Sequence, residues 1–125
     1  MRLLLDTHAL LWWLSGGGAL RPNARAAIAD GSSFVAVSAA SAWEISIKRA
    51  IGRLKAPSDL VAQLEHHRFS PLPISVPHAL RAGELPPHHP DPFDRMLVAQ
   101  AELEGLVIVT RDENIARYGV PTMAA

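Results

Sequence analysis

Arg2-Leu3-Leu4-Leu5-Asp6-Thr7-His8 opens the chain as a short apolar run that stops at a carboxylate where a helix should begin. The run reads as a buried strand, and Asp6 falls at its carboxyl end. That edge of an open α/β sheet is where ligands bind. Three further acids have comparable settings: Glu44 inside a helical segment, Asp94 at the head of another, and Asp112 just past the apolar run Leu106–Thr110. Carboxylates gathered at one sheet edge repel each other, so such a cluster needs protons or a cation. The natural ion is hard and oxygen-seeking, Mg²⁺ or Mn²⁺.

Outward from the first strand, strand and helix signals alternate. Thr7–Ser15 reads as an apolar helix stopped by Gly16-Gly17-Gly18, and Pro22 suits the first turn of a helix reaching Asp30. Ser33–Val37 is a β-rich run, followed by a helix from Ser38 to Ile51 that Gly52 closes. Ser58 is placed to cap a helix running through His67. Leu72–Ser75 reads as a short strand and His78–Glu84 as a short helix. The proline-rich connection Pro86–Pro90 leads into a helix over Asp91–Glu104, ended by Gly105, and then the strand Leu106–Thr110. Such βαβα alternation predicts an α/β domain, a mostly parallel sheet of four to five strands with helices on both faces.

The 125 residues fit one domain, residues 1–125, able to bury roughly two thirds of the unfolded surface. A hydrophobic fraction of 49% with 19% charged residues describes a globular chain. With no cysteine there is no disulfide scaffold, thiolate zinc site or cysteine nucleophile, which fits a cytoplasmic protein. The run Leu3–Leu14 is too short to span a bilayer and lacks a cleavage region, so neither membrane insertion nor a signal peptide is expected. Twelve basic and twelve acidic residues cancel. A polyanionic substrate would therefore have to be held by local cations and a metal.

Each acid also has a structural explanation. Asp6 suits the cap of the helix that follows it. Glu44 closes a Ser41-Ala42-Trp43-Glu44 capping-box pattern and precedes Lys48 by one helical turn. If the helix starts at Ser38, however, Glu44 falls in its second turn and the box reading weakens. In Asp91-Pro92-Phe93-Asp94, Asp91 reads as the cap and Pro92 as the first helical residue. Asp94 is then free to act at the acidic tip of a buried helix. Asp112 could cap the turn Asp112–Ile115. Thr7 and Thr110 are placed to support the acids through their hydroxyls.

Substrate-holding candidates are Arg95 and Arg111, each beside an acid, and Lys48, which begins the basic stretch Lys48, Arg49, Arg53, Lys55. Salt bridges within the cluster explain Arg95 and Arg111 equally well, and a solvated helix end is the favoured reading of the Lys48 stretch. His88 and His89 fall in the proline-rich loop, where they could reach the cleft, with a surface role expected for them, and His8 is expected to point away from the acids. Trp12 and Trp13 lie in a helix that is apolar all round, so the indoles either complete the core or line a groove for a partner.

Leu4-Leu5-Asp6-Thr7-His8, Ser38-Ala39-Ala40-Ser41-Ala42-Trp43-Glu44-Ile45, His89-Pro90-Asp91-Pro92-Phe93-Asp94-Arg95 and Val109-Thr110-Arg111-Asp112 together resemble a PIN domain, specifically a VapC-like toxin of a type II toxin–antitoxin pair. The resemblance spans nearly the whole chain, and its most specific part is the D-P-F-D-R run with the A-Q-A that follows. It implies a three-layer PIN-like fold and a metal-dependent endoribonuclease whose acidic quartet is Asp6, Glu44, Asp94 and Asp112. It also implies Mg²⁺ or Mn²⁺ as cofactor, RNA as substrate, a cognate antitoxin, and a homodimer or toxin–antitoxin hetero-oligomer. On its own terms the chemistry is phosphodiester hydrolysis, with Asp6 and Asp94 as main metal ligands and Glu44 and Asp112 completing the site. A receiver-like domain expects an acidic pair after the first strand, and a haloacid-dehalogenase-like phosphatase expects D-x-D there. Asp6-Thr7-His8 supplies neither. A non-catalytic module whose acids are only caps stays open, as does a DNA-cleaving nuclease, since nothing here distinguishes the 2′-hydroxyl of RNA.

Overall fold

Three successive leucines cannot alternate between core and water, so a strand made of them must be covered on both faces. A computed structural model describing residues 1–125 has this arrangement. Strand β1 (Arg2–Leu5) lies at the centre of a five-stranded sheet, and Leu3, Leu4 and Leu5 are all fully buried. The sheet order is β3-β2-β1-β4-β5 and every pairing is parallel, with β2 at Phe34–Ser38, β3 at Ser70–Leu72, β4 at Val107–Thr110 and β5 at Thr122–Ala124.

Seven helices connect the strands: α1 (Thr7–Leu14), α2 (Pro22–Ala29), α3 (Ala39–Ala50), α4 (Leu60–His66), α5 (Val76–Glu84), α6 (Pro92–Glu104) and α7 (Glu113–Ala116). Because side chains alternate along a strand, Leu3, Leu5, Val35, Val37 and Val109 face one layer, where they meet Leu10, Ala24, Ile28 and Leu64. Leu4, Ala36 and Ile108 face the other, against Leu97, Val98, Ala101 and Ile115. The expected three-layer, mostly parallel α/β architecture is present.

Two local expectations change. The strand expected over Leu72–Ser75 forms at Ser70–Leu72, in parallel register with Ala36–Ser38. Pro71 is accommodated because β3 is an edge strand and its missing N–H faces no partner. Strand β5 carries no β-rich pattern; its position follows from pairing, Ile108 N–H donating to Pro121 O and Ala125 N–H to Thr110 O. Gly105 ends α6 with φ 67, a left-handed turn that glycine makes without a Cβ penalty.

The two tryptophans of α1 are half-buried and pack against the first core layer. The Trp13 indole N–H donates to His67 Nδ1 at 3.2 Å. Burial, with a smaller contribution from His66, lowers the His67 pKa, which favours the neutral ring that accepts this bond. Neither indole is sealed inside the chain. No helix is long and apolar enough to cross a membrane.

Leu4 sits in the central strand with no exposure, so Leu4→Ala should cost about 2–5 kcal/mol of stability in urea unfolding. Val61→Ala, at a position 74% exposed, should stay within about 0.5 kcal/mol.

Candidate metal centre

The strand order turns back at β1. The chain leaves β1 towards β2 and β3, and later crosses to β4 and β5 on the other side. The carboxyl ends of β1 and β4 therefore flank the switch point, the crevice where doubly wound sheets bind ligands. Asp6 follows β1 and Asp112 follows β4 by two residues. The structure places Asp6, Glu44, Asp94 and Asp112 around one cavity of about 220 Å³.

Asp6 caps α1, accepting the Ala9 N–H at 2.8 Å, and is 6% exposed. Burial raises its pKa against the opposing hydrogen bonds from Thr110 and Ala9. The Thr110 hydroxyl oxygen also accepts the Asp112 N–H at 2.9 Å, so one side chain ties the ends of β1 and β4 together. Ser38 is the cap of α3, which puts Glu44 in the second turn, outside any capping box. There Glu44 is buried, receives the Thr7 hydroxyl on Oε1, and pairs through Oε2 with Lys48 Nζ at 2.8 Å. That bond raises the Lys48 pKa.

Asp91 caps α6, accepting from Phe93 N–H at 2.8 Å and Asp94 N–H at 3.2 Å. This orients Asp94 into the cavity, where burial first, and then the like charge of Asp91, push its carboxyl up to about 7. Asp112 caps α7 through Asn114 N–H at 2.8 Å. For Asp112 the desolvation is outweighed by hydrogen bonds, chiefly from His89, and its pKa is lowered.

His89 departs from its expected surface role. It is 9% exposed, with Nε2 at 2.8 Å from Asp112 Oδ2 and 3.0 Å from Asp94 Oδ2. Ligand atoms of His89, Asp94 and Asp112 lie within 4.8 Å of one another. The signals in the sequence were its loop's reach towards the cleft and its place at the head of the His89–Arg95 stretch, while the connection that folds it inward has no periodicity. His8 also differs from expectation: its exposed ring lies at the cavity rim against Trp12. His88 stays outside, beside Tyr118.

The candidate substrate-holding residues divide. Lys48 and Arg111 line the cavity, whereas Arg49, Arg53 and Lys55 are exposed and do not. Arg111 lies over the Trp12 ring at 4.1 Å and donates to Ala125 O at 2.8 Å and to Ala19 O. Arg95 is turned away from the acids. Its guanidinium donates to the carbonyls of Ala82 and Leu85 at 2.9 Å and of Pro86 at 3.0 Å, fastening the end of α5 to α6. It does not line the cavity and forms no salt bridge, and the contacts it makes are structural. Arg95→Lys loses the planar fork that serves these acceptors and should cost about 1–3 kcal/mol in urea unfolding.

The Asp94 carboxyl has a sign that can be tested. It ionises near 3.8 when unfolded and at about 7 when folded, so between these values the folded state holds more protons and loses stability as pH rises. Asp6, also raised, adds to the same slope. Asp112, lowered, contributes stability that is lost only as pH falls below the ordinary carboxylate range, outside this window. Asp94 and Asp6 should therefore make metal-free protein less stable from about pH 4 to 7, with His67, whose pKa is lowered, opposing them towards the upper end, and Asp94→Asn should reduce the fall. Urea unfolding across a pH series measures both.

Solved structures similar to this chain have the same fold. A toxin–antitoxin complex from Klebsiella pneumoniae contains a chain 22% identical, with a TM-score of 0.67 and coverage of 98% of this chain and 96% of that one. VapBC2 from Rickettsia felis, bound to a DNA fragment from its promoter, gives 16% identity and a TM-score of 0.72, covering 98% of each chain. DNA-bound VapBC from Salmonella typhimurium gives 19% and 0.71, covering 98% of this chain and 97% of that one. No curated protein matches the chain at significant sequence similarity. The PIN domain family model matches residues 3–121, nearly the full length, and the chain therefore belongs to the PIN domain family.

Proposed function

We propose that this PIN domain is a divalent-metal-dependent endoribonuclease, and that it is the toxin of a toxin–antitoxin pair. The observation that carries the nuclease reading is the single cavity that Asp6, Glu44, Asp94 and Asp112 share at the switch point of the sheet. PIN domains are a family of nucleases, and the cavity fits their chemistry.

The donor set suits Mg²⁺ or Mn²⁺. Its oxygens are hard, and burial pushes the carboxyls of Asp6 and Asp94 upward, a cost that a bound cation would remove. Asp6 and Asp94 would be the main ligands, with Glu44 and Asp112 completing the site. A divalent ion held there supplies Lewis acidity towards a phosphodiester and lowers the pKa of a bound water.

The chain's own residues do the rest. Thr110 and Ala9 N–H fix Asp6, Asp91 fixes Asp94 by capping its helix, and Thr7 and Lys48 fix Glu44. A carboxylate so held can accept a proton from an attacking water without moving. Lys48 and Arg111 line the cavity and, though engaged by Glu44 and by Trp12 and backbone carbonyls, keep positive charge near where the flanking phosphates of an RNA strand would lie.

The toxin reading is supported by the neighbouring structures, which are toxin–antitoxin complexes, and by apolar surface left without a partner. Trp43 and Ile47 on α3, and Ile51 at its C-cap, recur every fourth residue and are 62%, 39% and 61% exposed, with only Trp43 in aromatic contact, edge-on to Phe93. Such a stripe would be covered by a cognate antitoxin or by a second copy of the chain, as homodimer or hetero-oligomer.

Purified protein should cleave RNA with Mn²⁺ or Mg²⁺ and stop on addition of EDTA. Asp6→Asn and Asp94→Asn should each lower the cleavage rate by about 100-fold or more, the scale of losing an electrostatic element of a site. Cleavage undiminished in either variant, or indifferent to EDTA, would sink the assignment. Single-stranded DNA run alongside separates a ribonuclease from a DNA-cleaving enzyme.

A further inference from the structure

His89 has no part in the proposed chemistry, yet its ring is held in the middle of the acids. Nε2 approaches Asp112 Oδ2 at 2.8 Å and Asp94 Oδ2 at 3.0 Å. The other ring nitrogen is already engaged, since the Asp91 backbone N–H donates to Nδ1 at 3.2 Å. A nitrogen that accepts such a bond presents a lone pair, so the proton of the neutral ring is on Nε2. Nε2–H is then a donor shared by two carboxylates and has no lone pair to offer a cation. Ligation would require the proton on Nδ1, directly against the Asp91 N–H.

The backbone around the ring is equally fixed. The His89 N–H donates to the Tyr118 hydroxyl at 2.9 Å, and that hydroxyl donates to Pro86 O at 2.8 Å. Arg95 holds the carbonyls of Leu85 and Pro86. The loop is thus built to present this imidazole to the acids, and the ring can leave only by rotating its own side chain.

On the metal-dependent reading above, we propose that His89 is a positioning residue, a built-in donor that occupies the gap between Asp94 and Asp112 in the metal-free protein and yields it to the cation. The donor steadies two carboxylates that would otherwise face each other unscreened. An ion held by the same oxygens would take that gap, and Nε2–H would aim its positive end at it. The ring then turns out, and the two hydrogen bonds it gives up count against metal affinity. The donor makes the metal-free protein more stable than the acids alone would allow, and metal binding weaker.

Mn²⁺ titration calorimetry on the purified full chain, without RNA, tests this directly, together with thermal unfolding of the metal-free proteins. His89→Ala should lower the metal-free Tm and bind Mn²⁺ about tenfold more tightly than wild type, the scale of one lost charge-assisted hydrogen bond. His89→Gln, whose amide N–H reaches towards the same gap, should return both values towards wild type. His89→Leu, which fills the space without a donor, should follow alanine and carries the test if the alanine variant does not fold. Weaker Mn²⁺ binding in the alanine or leucine variant would make the ring a ligand and overturn the proposal; unchanged affinity would overturn it as well. Equal binding by wild type and variants defeats the placeholder alone. No Mn²⁺ binding by any of them defeats the metal-dependent reading, and the placeholder with it.

Discussion

Negative charge confined at the carboxyl edge of the sheet governs the site. Five carboxylates line a cavity of about 220 Å³, and the candidate four are relieved unequally by their neighbours. Glu44 has the Lys48 ammonium, Asp112 has His89 and a backbone N–H, and Asp6 has Thr110 and a backbone N–H. Asp94 is the least relieved: burial and Asp91 outweigh His89, and its carboxyl is driven to about 7. The repulsion is carried unevenly, and the acid that carries most of it stands at the N-terminus of α6, whose dipole favours negative charge.

Fold and charge are coupled through helix starts. Three of the four acids lie where a backbone segment begins to coil. Asp6 and Asp112 act as caps, while Asp94 is oriented by a cap one turn before it. The hydrogen bonds that start the helices also aim the carboxylates, so capping and ligand placement are one feature. That is why each acid could be explained structurally and yet all of them converge. Glu44 differs: its helix starts at Ser38, and its place in the second turn owes nothing to capping.

Much of this was legible in the sequence because the informative segments are local. Leu3-Leu4-Leu5 and Leu106–Thr110 read as buried strands, and Asp91-Pro92 as a helix start, and each forms there, with β4 beginning one residue later. The parts that were not legible depend on distant partners. Strand β5 exists because β4 offers it an edge, and β3 tolerates Pro71 because nothing lies beyond it. His89 belongs to the same class. Its inward turn is set by Tyr118, a residue 29 positions away, and the proline-rich loop contains no pattern that records this. Arg95, adjacent to an acid in sequence, is spent on carbonyls of the preceding helix and loop.

The charge balance of the cavity also constrains how an RNA strand would approach. Five carboxylates face two permanent cations, Lys48 and Arg111, and both are already engaged: one by Glu44, the other by the Trp12 face and backbone carbonyls. A phosphodiester brought into this cavity would meet net negative charge at short range, where solvent screens least. The chain as a whole is neutral and supplies no compensating long-range attraction. On the proposed reading a divalent ion would serve twice, offsetting the repulsion of the phosphate and activating water, because the same groups that hold the ion repel the phosphate in its absence.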